Sequence, residues 1–88
     1  MRSTIKVRLI NEKGLHARPS HALVTCALGF ACDIRVRSRS QEVNGKSILE
    51  LMTLAAAFGH ELEFIAEGDG AEDAVRALAA LVNAGFDE

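Results

Sequence analysis

Gly14-Leu15-His16-Ala17-Arg18-Pro19-Ser20 separates an alternating segment, Thr4 to Ile10, from a helically patterned one, Ala17 to Leu28. The stretch is therefore a strand-to-helix junction. Gly14 permits a tight turn or a left-handed backbone. Pro19 has a fixed φ and no N–H, which suits the first turn of a helix, where that donor has no partner. His16 then falls at or just before the helix N-terminus. The N–H groups there are free, and the helix dipole favours negative charge. Arg18 adds a permanent cation. A histidine, a helix start and an arginine together make a place to hold a phosphoryl group on nitrogen. The ordinary alternative is a solvated loop histidine beside an exposed arginine.

Working outward, Ile5, Val7 and Leu9 share one face of the preceding segment, as in a half-buried strand. Asn11 to Gly14 turns the chain. In the helix, Pro19, Leu23, Cys26, Ala27 and Phe30 recur at three- and four-residue steps, with Gly29 placed to cap the C-terminus. Cys32 to Arg37 alternates again, and Gln41-Glu42-Val43 is a short third strand before an Asn44-Gly45 turn. Ser47 to Ala57 reads as a second helix, with Ser47 and Glu50 spaced as a capping box. Glu61 to Glu67 alternates with Leu62, Phe64 and Ala66 inward. Ala71 to Ala84 is a third helix with Ala74, Val75, Leu78, Leu81 and Val82 on its core face.

The order is β-α-β-β-α-β-α. Four alternating strands imply a mostly antiparallel sheet with one wet face, so the helices stack on the other. The expected class is α+β: an open-faced two-layer β-sandwich with a four-stranded antiparallel sheet and three helices on one face. Residues 1–88 read as one domain without linker or repeat.

Composition narrows the function. Hydrophobic residues make up 49% of the chain, which argues against disorder. Net charge is −2 with mixed signs, which gives no reason to expect nucleic acid or a membrane surface. No apolar run approaches the roughly 20 residues of a membrane-spanning helix. Residues 1–15 carry Arg2, Lys6, Arg8, Glu12 and Lys13 and no apolar signal core, so a cytoplasmic location is expected. Two cysteines, Cys26 and Cys32, are too few for a disulfide framework and read as small buried residues. A metal site built from them with His16 and His21 matches no ligand spacing, so no metal or cofactor is expected. Nothing resembles a Gly-rich phosphate loop, a carboxylate cluster or a substrate pocket, which excludes a self-contained enzyme.

Gly14-Leu15-His16-Ala17-Arg18-Pro19 resembles the phosphorylation-site motif of HPr, the histidine-containing phosphocarrier of the bacterial phosphoenolpyruvate-dependent phosphotransferase system. Asn44 to Ala56 is similar to that family's serine region, in the family's order and separation. The resemblance covers essentially the whole chain. It implies the same sandwich fold, phosphorylation of His16 on Nδ1, assistance by Arg18, and phosphorylation of Ser47 by a dedicated kinase in some lineages. It implies enzyme I as donor, EIIA-type proteins as acceptors, and a monomeric carrier. It places Leu15, Ala17, Ser20, Ile48, Leu49 and Met52 in the contact surface. Ser20 departs from the alanine common after the proline and is expected to make that surface slightly more polar. His21 and His60 match no functional position.

The chemistry suits a carrier. Serine or threonine esters are too stable for easy return, and carboxyl phosphates hydrolyse quickly. An imidazole phosphoramidate lies between, and its ring changes charge near neutrality. The helix start and Arg18 both favour the neutral, attacking ring and then the phosphate dianion. Two other readings remain. One is a regulatory module whose partners are selected by phosphorylation at His16 or Ser47. Asn83-Ala84-Gly85-Phe86-Asp87-Glu88 resembles the end of the nitrogen-related paralogue, which is regulatory. The other is a metabolite binder, which requires a pocket.

Overall fold

The computed structural model describes residues 1–88. Its elements are β1 (Arg2–Arg8), α1 (Ala17–Leu28), β2 (Asp33–Ser38), β3 (Gln41–Asn44), α2 (Ile48–Thr53), β4 (Glu61–Glu67) and α3 (Ala71–Asn83), followed by a closing turn at Gly85–Asp87. The sheet runs β1-β4-β2-β3, and every neighbouring pair is antiparallel. It is an open four-stranded sheet with the three helices against one face, as the patterning predicts.

The period-2 pattern sets which face is dry. Val7, Ile34, Val36, Val43, Leu62, Phe64 and Ala66 form the sheet's side of one core with Leu23, Ala27, Leu51, Val75, Leu78 and Val82 of the helices. Aliphatic chains dominate, and Phe64 is the largest fully buried side chain. The other face is charged. The register sets Glu61, Glu63 and Glu67 of β4 opposite Arg8, Lys6 and Arg2 of β1, and Glu63 also opposite Arg37 of β2. Arg37 pairs with Glu63, and Arg2 lies 3.9 Å from Glu67. Exposed pairs of this kind contribute about 0–1 kcal/mol each. Their main effect is to keep an open sheet face wet.

Helix α1 has the bounds expected from its pattern, with Leu23 and Ala27 inward. Its buried side also takes in Val24 and Ser20, and Cys26 is only half-buried. Gly29 does end this helix, but with φ −74° rather than a left-handed turn, and its N–H meets the Cys26 carbonyl at 3.1 Å. In α3 the expected core face is right except at Leu81, which is partly buried; Ala71 and Ala79 are buried there too.

Helix α2 is shorter than the expected Ser47–Ala57. Its last N–H groups, of Leu54 and Ala55, bond three residues back, and Ala55 takes φ 49°. The carbonyl of Ala56 then turns to accept from the Leu15 N–H at 2.9 Å. The left-handed Ala55 breaks the helix just before this carbonyl, which faces the His16 loop. Ala55 is exposed, and Ala56 is buried.

Candidate functional site

The site is built from the loop between β1 and α1, and three contacts fix that loop. The Gly14 N–H donates to the Asn11 carbonyl at 3.1 Å, and Asn11 Nδ2 donates to the Gly14 carbonyl at 2.7 Å. Leu15 is 5% exposed and sits in the core. Gly14 has φ +65°, and a Cβ there would lie 2.4 Å from the Ala56 oxygen and 2.7 Å from the Ala57 Cα. Only glycine lets the loop lie so close against the segment leaving α2.

His16 is the N-cap of α1, with extended backbone (φ −79°, ψ −172°) and no side-chain capping bond. Its carbonyl accepts from the Ser20 N–H at 3.1 Å. Pro19 has no N–H, so the Ala17 and Arg18 amides are the open donors at this helix start. The ring is held from its other side. Nε2 lies 2.8 Å from Oε2 of Glu88, and Oε1 of Glu88 accepts from Asn11 Nδ2 at 3.2 Å. An ionised carboxylate only accepts, so the proton is on Nε2, and in the neutral ring Nδ1 keeps its lone pair.

Burial would raise the Glu88 carboxyl. The hydrogen bonds from Asn11 and His16 and the charges of His16 and Arg18 outweigh it and hold the carboxyl below its ordinary value. Arg18 is exposed and makes no ion pair within the chain. It lines, with Ile10, Asn11, Lys13, His16 and Glu88, an open groove of about 540 Å³. No local pattern marks a groove beside His16, because its walls come from residues at both ends of the chain.

Several expected contact residues lie elsewhere. Leu15 and Ser20 are buried; Ser20 is 0% exposed, and its hydroxyl donates to the Leu15 carbonyl at 3.4 Å. Ser20 therefore adds no polarity to the surface. At this position the α1 stripe turns the side chain inward, and a small hydroxyl fits by bonding locally. Ile48 packs partly into the core. Ala17 is exposed, and Leu49 and Met52 are 79% and 42% exposed on α2.

Ser47 is the N-cap of α2, and its hydroxyl accepts from the Glu50 N–H at 3.2 Å. The return half of the capping box is displaced. Glu50 Oε1 accepts from the Asn44 N–H at 3.0 Å, because the Ser47 N–H is already turned onto the Asn44 carbonyl. No three His, Cys, Asp and Glu side chains are grouped to hold a metal ion. Burial pushes the Cys26 thiol up, away from reactivity.

Sequence reasoning missed Glu88 and Asn11. Glu88 is 72 positions from His16, so no local spacing links them. The one available signal was Phe86, a large apolar residue just past the end of α3, which has to bury itself and carry the tail along.

Fold and site together define an open-faced α+β sandwich with an anion-favouring histidine at the start of its first helix. Residues 3–84 match the family model PTS-HPr, described as the PTS HPr component phosphorylation site. The chain belongs to this family, the HPr phosphocarriers of the phosphotransferase system, whose members are carriers rather than enzymes. It is 42% identical to phosphocarrier protein HPr of Neisseria meningitidis over 93% of this chain and 92% of that one. It is 36% identical to phosphocarrier protein NPr of Escherichia coli over 93% and 92% of the two chains. A multiphosphoryl transfer protein of Vibrio cholerae matches 97% of this chain at 42% identity, and this chain spans 22% of that longer protein. HPr-C-His of Thermoanaerobacter tengcongensis superposes with a TM-score of 0.93 at 36% identity, covering 98% of this chain and 97% of that one. An HPr dimer from the same organism superposes at 0.79 with 37% identity, over 96% and 97%. No helix here is long and apolar enough to cross a membrane.

Proposed function

We propose that this chain, acting as one domain in the cytoplasm, accepts a phosphoryl group on Nδ1 of His16 from phospho-enzyme I and passes it to EIIA-type proteins. The observation that carries this reading is the His16 ring itself. Its Nε2 is occupied by a carboxylate, while Nδ1 is unbonded at a helix start with open Ala17 and Arg18 amides. Arg18, free on the same groove, stabilises the phosphate in transit. The donor is another protein's phosphohistidine, and exposed Ala17, Leu49 and Met52 supply part of the apolar surface such a partner would cover. The carrier works as a monomer; the HPr dimer among its structural relatives makes sedimentation the check on that point. Incubation with enzyme I, Mg²⁺ and phosphoenolpyruvate is expected to give an acid-labile, base-stable mass gain. A His16→Ala variant that still acquires it refutes the assignment.

The similarity to NPr and the Phe86-Asp87-Glu88 tail favour a second reading. Here the same transfer sets which regulatory partner is bound, and Ser47 phosphorylation by a kinase adds a second selector. Transfer to a nitrogen-type EIIA in preference to a sugar-type one distinguishes it.

A further inference from the structure

The tail beyond α3 is conformationally costly. Gly85, Phe86 and Asp87 all take left-handed backbone, with φ 64°, 56° and 59°. Of these three, Phe86 carries a side chain that disfavours that region. Such a turn persists only where its surroundings over-determine it. Phe86 is 8% exposed and belongs to the core cluster, which anchors the turn. Its consequence is to bring residue 88 back against the loop that carries His16.

At that point both carboxylate oxygens are used. Oε2 takes the His16 Nε2–H and Oε1 takes Asn11 Nδ2. Asn11 is buried and cannot turn its amide, because Nδ2 also donates to the Gly14 carbonyl at 2.7 Å. Its Oδ1 is left without a partner, and both of its bonds are made through Nδ2. Asn11 therefore holds the carboxylate, and the carboxylate holds the ring.

We propose that Glu88 is a positioning residue for phosphoryl transfer: it fixes the His16 imidazole as the Nε2–H tautomer and presents the Nδ1 lone pair to the incoming phosphorus. The inference rests on His16 being the acceptor, as proposed above. As the Nδ1–P bond forms, the N–P bond of the partner's phosphohistidine breaks, and its electron pair returns to the partner's nitrogen. No proton has to leave Nδ1. The ring gains positive charge while its Nε2–H stays on the Glu88 carboxylate, which stabilises it. Return of the group reverses each of these changes.

The test compares wild type, Glu88→Ala and Glu88→Gln by imidazole ¹⁵N–¹H spectra of the unphosphorylated proteins and by single-turnover acceptance from phospho-enzyme I. In wild type the hydrogen-bonded Nε2–H is expected to resist exchange with water. In Glu88→Ala that protection disappears and acceptance slows roughly three- to tenfold, the range for one partly exposed charge-assisted hydrogen bond. Glu88→Gln keeps the tail's bulk but has one acceptor oxygen for two donors, so it falls between. Ring spectra unchanged in Glu88→Ala overturn the proposal, whatever the rate does. Altered spectra with an unchanged rate also overturn it. A wild type that takes no phosphate refutes the phosphocarrier reading alone, and the ring spectra still decide whether Glu88 fixes the tautomer.

Discussion

Replacing Gly14 with alanine tests whether the His16 loop is held by backbone contact. The new Cβ would sit 2.4 Å from the Ala56 oxygen and 2.7 Å from the Ala57 Cα, both backbone atoms that cannot rotate away. The residue would also have to keep φ +65°. The left-handed backbone costs an L-residue about 1–2 kcal/mol, and overpacking adds about 1–3 kcal/mol. The sum, about 2–5 kcal/mol, is a large part of the roughly 5–15 kcal/mol that holds a domain together. For a chain of this size it lowers Tm by at least roughly 8 °C. Gly59 is the internal control: it has φ +85°, but a Cβ there meets nothing within 4 Å. Gly59→Ala is expected to lose only the backbone share, about 1–2 kcal/mol. Urea unfolding of both variants measures the difference, and an intact core should leave the m-values equal. If the two substitutions cost the same, the contact with Ala56 and Ala57 does not hold the loop, and the reasoning fails. Phosphoryl acceptance by Gly14→Ala, measured where the protein is still folded, is expected to fall as well, since the Leu15–Ala56 bond is lost with the contact.

Arg18→Ala is expected to melt within a degree or two of wild type, because the side chain is exposed and off the buried stripe, yet to pass phosphate more slowly. A large loss of stability with normal transfer would refute that role. Ser47→Ala removes a cap and is expected to lose about 0.5–2 kcal/mol in urea unfolding while transferring normally. Ser47→Asp keeps the helix, since negative charge suits its N-terminus, but sets a charge beside Leu49 and Met52 that a partner must desolvate. Its acceptance from enzyme I is expected to slow through weaker binding, and equal kinetics in an enzyme I titration would leave Ser47 as a cap alone. Glu88 has a folded-state carboxyl below its ordinary value, so its stabilising contribution is present above the usual glutamate range and is lost as pH falls through the folded value. Wild type and Glu88→Ala are therefore expected to differ in Tm at about pH 7 and to converge as pH falls through the folded value; a gap that stays constant on acidification would contradict the carboxylate's part.

Elements with a strong period were legible from the chain alone. Hydrophobic alternation placed β4 at Glu61–Glu67, and the helical stripe placed α1 at Ala17–Leu28, because burial of one face imposes its period on the residues. The same holds for Ser47 as the N-cap of α2, since capping is local chemistry read within a few residues, and for His16 at the start of α1, which the fit of Pro19 to a first helical turn located. Tertiary structure decided where local and distant demands compete. Helix α2 ends at Thr53, although Leu54 to Ala57 is a favourable helical run, because the Ala56 carbonyl is needed by Leu15. Leu15 points inward since the loop's path, set by Gly14 against Ala56 and Ala57, turns it there. The contact between His16 and Glu88 lay beyond sequence reasoning for the same reason. It depends on a left-handed turn that residue preferences oppose and that Phe86, buried at the far end of the chain, makes worth forming.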